Sequence, residues 1–372
     1  MKNKVIAIIS VLKPVDDTRN YEKIATSLGN TNKYDINIIG FKSKNIPDSP
    51  AITVHPEFDF DRKSSKRLLA SLKIWQKLIK LKPDLIIVTC AELLGVMCLY
   101  KILFGCRIIY DIQENYFRNI LYSGAYPVAL RYPAAVLVRL IEYVTSPFVD
   151  SFLLAERVYA QQLHFIRKKY IVVENKAILP KGLKKSLKTH GQPLRFLYCG
   201  TISRHFGAME AIGFFKKLLE LIPGIQLVIT GHAPDKHFFS EILMEIDGIP
   251  SIQLIGNGDL VPHNDLLKEM TETDFVLMPY HHDSSVKGRI PTKLYECLAM
   301  EIPVIISPNK GWSQLIIDNN AGIIYDFKST PDITISNEIL SRTFFGKNKT
   351  NYYLWTSYEK DFVAHIQAVL HD

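Results

Sequence analysis

The residues with the clearest chemical use lie between Arg289 and Ile306. The stretch reads as a loop, a helix opening near Pro291, an abrupt stop and a buried strand. Proline suits the first turn of a helix, and Pro303 fits just beyond its end. Helical spacing puts Lys293, Glu296 and Met300 on one side and Leu294 and Leu298 on another. A cation and a carboxylate thus share a face while the leucines anchor the core. Arg289 and Lys293 beside a helix N-terminus make an anion site; an exposed i,i+3 ion pair is the plainer reading of the same spacing. Asp17 and Arg19 follow the first strand, at the end of an open sheet where ligands bind. They suit contact with a ligand, or helix capping by Asp17. Asp59, Phe60 and Asp61 form a D-x-D triplet in a polar stretch, which reads as a solvated loop. His281, His282 and Asp283 are adjacent on a strand-end loop and do not converge as metal ligands do, so no metal site is expected. No G-x-S-x-G, Walker loop or H-E-x-x-H is present.

Short β-branched runs alternate with helical stretches through the chain. In the first half the expected strands are 5–11, 34–40, 84–89, 107–111, 151–154 and 170–174, with helices over 19–28 and 67–81. Apolar runs without strict alternation are what strands covered on both faces look like. The alternation stalls in a basic, Pro- and Gly-punctuated stretch, then restarts with strands at 194–199, 225–230, 252–255, 275–278, 304–306 and 322–325. The expected organisation is a first domain over 1–182, a linker over 183–193, a second domain over 194–350 and a C-terminal helix over 351–372 returning toward the first domain. The fold class is α/β: two Rossmann-like, doubly wound domains facing a cleft.

Composition narrows the class. Of the 372 residues, 47% are apolar and 22% charged, ordinary for globular chains and unlike disordered or fibrous ones. The five cysteines, with no C-x-x-C spacing, argue against a disulfide framework or zinc ribbon and for a reducing compartment. A formal charge of +8 favours a phosphate substrate, an anionic lipid surface or nucleic acid; the basic residues are dispersed and no nucleic-acid motif accompanies them, so nucleic acid is not expected. The apolar N-terminal run 5–9 reads as a buried strand rather than a signal peptide, because no small-residue cleavage pattern follows. No stretch has the ~20 uninterrupted apolar residues of a membrane span.

The run from Pro291 to Ile305, P-T-K-L-Y-E-C-L-A-M-E-I-P-V-I, resembles the nucleotide-sugar signature P-x-K-x-x-E-x-M-A-x-G-x-P-V-I of GT-B-fold glycosyltransferases of family four. The resemblance spans most of the chain in strand order, with its specific motifs in the second half. It implies a retaining, metal-independent hexosyltransferase that uses a nucleotide diphosphate sugar as donor, with no further cofactor. By the same resemblance Glu296 bonds the ribose and Lys293 serves the phosphates. The stretch 194–207 is similar to the family's first strand and phosphate loop, where Gly200 lets backbone approach a phosphate. The strand ending at Gly231 and the loop carrying Leu260 and Val261 match the family's second glycine turn and base-reading loop. Family members often carry Arg and Lys where this chain has Thr201 and Phe206, so the diphosphate charge must come from Arg204, Lys293 or Arg289. Arg204 and Lys293 take the catalytic role of stabilising the leaving group.

The segment 107–116 resembles a family motif Y-D-x-H-E, here with Gln113 for the histidine but with Asp111 and Glu114 kept. Those two join Asp17 and Arg19 on the acceptor side. Gly288 stands where many members have a second, donor-contacting glutamate. Glu301 replaces the glycine that stops the helix, at a cost on the order of 1 kcal/mol if its φ is positive. The expected partners are a nucleotide sugar and a glycan or lipid-linked acceptor, in synthesis of a bacterial-type envelope or surface glycan. A nucleotide-sugar 2-epimerase and a non-catalytic nucleotide-sugar-binding subunit are the competing readings. A dinucleotide oxidoreductase lacks its G-x-G-x-x-G after the first strand. The segment 116–141 is aromatic, apolar and marked by Arg118, Arg131 and Arg139. It reads as a packed helical hairpin or as a patch for an anionic membrane surface, which would put a cytoplasmic enzyme at the inner face of the membrane.

Overall fold

The computed structural model describes residues 3–43, 49–60, 66–122, 127–166, 169–183, 185–186, 191–281, 288–346 and 350–371. The chain divides into two compact units, Met1–Asn175 with Trp355–Asp372, and Lys176–Asp283 with Gly288–Leu354. Residues 176–182, assigned by sequence to the first domain, thus pack with the second. Ala177 bridges Leu354 there in parallel, and the Lys176 ammonium lies 3.6 Å from the centre of the Tyr352 ring. Lys184 and residues 187–190 of the expected linker lie outside the described residues.

The first unit is built on seven parallel strands: β1 (Lys4–Pro14), β2 (Tyr34–Phe41), β3 (Ile52–Phe58), β4 (Leu85–Val88), β5 (Arg107–Ile112), β6 (Ser151–Leu154) and β7 (Tyr170–Val172). Their order is β3-β2-β1-β4-β5-β6-β7. Ile8 faces Ile38 of β2 and Ile87 of β4, and Ile6 to Ile9 are fully buried because helices cover both faces. β3 escaped the sequence reading. It carries Pro56 and half-exposed residues, which an edge strand tolerates and a central one does not. The expected helix over 19–28 opens instead with a π-helical turn, Thr18–Ala25, before a short α-helical piece, Thr26–Gly29. The last helix, Thr356–His371, counts with this unit. Trp355 Nε1 donates to Ser27 Oγ at 2.8 Å, and His365 Nε2 lies 2.7 Å from Ser151 Oγ.

The second unit holds six parallel strands: β8 (Arg195–Thr201), β9 (Gln226–His232), β10 (Ile252–Ile255), β11 (Phe275–Met278), β12 (Val304–Ile306) and β13 (Gly322–Ile324). The order β10-β9-β8-β11-β12-β13 reverses between β8 and β11. Phe196 and Phe275 stack across that junction, 5.5 Å between ring centres. The helices Lys310–Asn319 and Ile333–Ser341 were not anticipated; they bury Trp312 with Ile316, and Ile335 with Ile339. Glu301 does take φ +53° after the helix Thr292–Ala299.

Candidate active site

In a doubly wound sheet, ligands bind beyond the carboxyl ends of the strands where the strand order reverses. In the second unit that point is the end of β8, beside the start of the helix Thr292–Ala299. Gly200 and Gly231 stand opposite each other on β8 and β9. A Cβ on Gly231, at φ +141°, would lie 1.8 Å from the Gly200 carbonyl oxygen, so only glycine permits this approach. A Cβ on Gly200, at φ +112°, would sit 3.2 Å from Cε and 3.4 Å from Nζ of Lys293. The lysine therefore lies directly over the turn that the sequence singled out. Pro291 is the N-cap of that helix and makes no side-chain hydrogen bond to it, and Lys293 stands in the helix's first turn, the positive end of its dipole.

Glu296 stands one turn further along and is buried, at 4% exposure. Its Oε1 lies 2.8 Å from Nε2 of His263, the first residue of the helix His263–Thr271. Burial pulls the Lys293 pKa down, but Cys199, Glu296, Tyr280 and Cys297 around it overcome that, and the net shift is upward. Burial also pushes the Cys199, Cys297 and Tyr280 groups up. Those three stay neutral near pH 7, so among these neighbours the carboxylate of Glu296 is the counter-charge that keeps Lys293 an ammonium. Such a pair offers a cation to a phosphate and a carboxylate to a hydroxyl pair.

The other expected donor residues are placed less centrally. Thr201 is exposed, and its carbonyl accepts from the Tyr198 hydroxyl at 3.1 Å. Arg204 has a side chain 64% exposed, ion-paired with Glu241 and 4.6 Å over the Phe238 ring. The Arg289 carbonyl accepts from Trp312 Nε1 at 2.5 Å, which braces the loop before the helix. His232 Nδ1 lies 3.1 Å from the Gly258 carbonyl, joining the end of β9 to the loop bearing Leu260, which is exposed, and Val261, half-buried. Gly288, with φ +82°, stands before that braced loop. Of the His281 triplet, His282 and Asp283 lie outside the described residues; His281 Nε2 is 2.8 Å from Glu210 Oε1. Asp61 of the D-x-D also lies outside them, and Asp59 pairs with Lys42 at 2.7 Å. Among the described residues no cluster of His, Cys, Asp and Glu is arranged to hold a metal ion.

On the first unit the acceptor-side expectation needs correction. Arg19 and Asp111 are buried and spend their groups on each other: Nε donates to Oδ2 at 2.9 Å and Nη2 to Oδ1 at 2.7 Å. Arg19 Nη1 also donates to the Val173 carbonyl. They tie β5 to the turn after β1 and present nothing to a ligand. Asp17 caps that turn, accepting from the amides of Arg19 and Asn20. Glu114 is different: it lines a pocket of about 330 Å³ at the carboxyl ends of β1, β4 and β5. Lys13, Arg67, Glu92, Gln113 and Asn119 line it too. Arg67 forks onto both oxygens of Glu92, and Asn119 donates to Glu114. Gln113 Nε2 donates to Asn20 and Asp111. Arg139, expected in a basic surface patch, turns inward: Nη2 donates to Asn115 Oδ1 at 2.7 Å and Nη1 lies 2.9 Å from Glu142 Oε2.

Sequence reasoning missed His263, Arg67 and Glu92. Each meets its partner through sheet order, and no spacing signal joins residues 33 or 25 apart on different elements.

Residues 181–337 match the family described as Glycosyl transferases group 1. No curated protein matches the sequence. Among solved structures, the Anabaena protein HepE, in complex with UDP and glucose, superposes with a TM-score of 0.66 at 12% identity, covering 99% of this chain and 100% of that one. The catalytic domain of starch synthase IV from Arabidopsis thaliana, bound to ADP and acarbose, gives 0.63 at 14% identity, covering 100% of both. WaaG, a glycosyltransferase involved in lipopolysaccharide biosynthesis, gives 0.62 at 11% identity, covering 99% of this chain and 90% of that one. The two-sheet architecture is theirs.

Proposed function

We propose that this chain, a group 1 glycosyltransferase of GT-B fold, takes its sugar from a nucleotide diphosphate donor held by the second unit and delivers it to a hydroxyl of a glycan or lipid-linked acceptor held by the first. The observation that carries the reading is the Lys293 ammonium over the Gly200 turn, with the buried Glu296 one helical turn away. Lys293, the N-terminal end of its helix and the backbone at Gly200 receive the diphosphate, and Glu296 accepts from the ribose hydroxyls. As the bond from the anomeric carbon to the diphosphate oxygen breaks, negative charge gathers on the leaving group. A fixed ammonium and helix N-terminus stabilise that charge more than the ground state. The acceptor oxygen bonds to the anomeric carbon on the face the diphosphate leaves, so configuration is retained, and its proton passes to the departing phosphate. In the first unit, Glu114 and Gln113 are the groups we assign to acceptor hydroxyls, in place of Arg19 and Asp111.

The setting we infer is synthesis of an envelope or surface glycan in the cytoplasm. WaaG, similar in fold, is named for lipopolysaccharide, and five buried free thiols suit a reducing compartment. Gly288 and Gln113 favour one second reading, a non-catalytic subunit that binds nucleotide sugar. The test is a thermal-shift screen of nucleoside diphosphates and their sugars, followed by product analysis with the sugar that stabilises best. A ligand specific to the folded state raises the melting temperature with its concentration. Transfer with a retained anomeric centre supports the proposal; donor binding without transfer to any glycan supports the subunit; free epimer without acceptor makes the chain an epimerase.

A further inference from the structure

We propose that His263 is a positioning residue of the nucleoside subsite: it fixes the Glu296 carboxylate for the ribose and so makes the site select a ribonucleoside diphosphate over its 2′-deoxy form. The proposal rests on the donor reading above and adds to it the class of nucleoside and a second residue that decides it. His263 Nε2 lies 2.8 Å from Glu296 Oε1. The Glu296 side chain is 5% exposed and that of His263 29%. A carboxylate so buried requires a donor that stays in place. A glutamate also has several rotamers to lose when it meets a ligand, and the bond to His263 limits that freedom before any ligand arrives.

The imidazole is itself held by the core. His263 opens the helix His263–Thr271, and helical spacing puts Leu267 and Met270 on its face. Both are buried, in the same apolar cluster as Leu294, Cys297 and Leu298 of the helix that carries Glu296. Pro262 precedes the histidine as N-cap, with the restricted φ of proline, and its carbonyl accepts from the amides of Asp265 and Leu266. The two partners therefore stand on helices anchored in one cluster, which hold a geometry more closely than loops do. Selection follows from burial. A 2′-deoxyribose sets a C–H against the carboxylate where a ribose sets a hydroxyl. At 5% exposure water is a poor substitute for that hydroxyl, so the deoxy form loses the bond without replacement. Without His263 the carboxylate has room to turn and hydrate. The 2′-hydroxyl then loses a fixed partner, and the deoxy form loses much of its penalty. Lys293, three residues earlier, serves the diphosphate, which both nucleotides share, and takes no part in the selection.

The experiment is calorimetry on the whole chain with UDP, GDP and ADP and the 2′-deoxy form of each. With the base that binds, wild type should prefer the ribonucleotide about tenfold or more. His263→Ala should weaken the ribonucleotide roughly three- to tenfold and the deoxynucleotide by less, so the preference narrows. His263→Gln, whose amide nitrogen donates from near the Nε2 position, should restore most of it. In a Glu296→Ala background, His263→Ala should change nothing further. If His263→Ala does not fold, His263→Asn makes the same comparison: its amide stops short of the Nε2 position, and asparagine suits a helix start. A preference as large in the folded variant as in wild type overturns the proposal and leaves the donor reading standing, and this includes equal weakening of both nucleotides. Equal affinity of wild type for both forms also overturns it, as does a further loss from His263→Ala in the Glu296→Ala background. A wild type that binds none of the six nucleotides removes the donor reading, and the proposal falls with it.

Discussion

Replacing Glu296 by alanine tests the donor site where its geometry is most specific. The carboxylate is buried, sits on the face of its helix opposite the core leucines and has His263 Nε2 at 2.8 Å. Leu294 and Leu298 keep the helix anchored, and the His263 side chain, 29% exposed, can hydrate when its partner goes. The fold should therefore survive. A hydrogen bond to a charged acceptor is worth about 1.5–3 kcal/mol, so nucleoside diphosphate affinity should fall roughly ten- to hundredfold. Glu296→Gln keeps an acceptor oxygen without the charge and should lose about half that free energy. The decisive assay is calorimetry with a ribonucleoside diphosphate and its 2′,3′-dideoxy analogue on wild type and variant. If Glu296 reads the ribose, removing the hydroxyls weakens binding to wild type by a similar factor and leaves the alanine variant's affinity unchanged. The two losses are then one interaction, and a double-mutant cycle reports it as coupling. An alanine variant that still loses affinity with the dideoxy ligand, or one that binds the parent ligand as tightly as wild type, refutes the assignment.

Lys293→Ala should lower kcat more than donor affinity, since charge accumulates on the diphosphate as the bond breaks; Arg204→Ala, already paired with Glu241 and exposed, should lower it less, and steady-state kinetics ranks them. Asp111→Ala strands the buried Arg19 guanidinium and should cost about 3–5 kcal/mol in urea denaturation, with Arg19→Met plus Asp111→Leu costing less than either single change. Glu142 has its pKa raised to about 7, by burial above all, against the pull of Arg139 and the Tyr110 hydroxyl. Between its ordinary value and pH 7 the folded state holds a proton the unfolded state has lost. Stability should accordingly fall as pH rises through that window, and Glu142→Gln should flatten the fall in thermal melts. Turnover should survive EDTA; loss on chelation with recovery on added manganese would sink the metal-independent reading.

Much of the fold was legible locally. Continuous apolar runs such as Ile6–Ile9 and Ile86–Val88 announce strands buried on both faces, because a strand's own composition records how much of it is covered. The helix Thr292–Ala299 was legible for a similar reason: its leucine spacing states which side is core, and Lys293 and Glu296 fall on the other. β3 was not, since an edge strand is covered on fewer sides and tolerates Pro56 and polar residues that blur its pattern. Periodicity tells which way a side chain points and is silent about what it meets. Arg19 and Asp111 both stood at strand ends, the right place for a ligand, and tertiary structure joined them across 92 residues into a buried pair. His263 reaches Glu296 across 33 residues, and Trp355 reaches Ser27 across 328. Those meetings depend on strand order and on how helices pack over it, which short-range spacing does not encode. Lys293 over Gly200 lies between the two cases: each was marked by its own motif, and only the reversal between β8 and β11 set the ammonium against the turn.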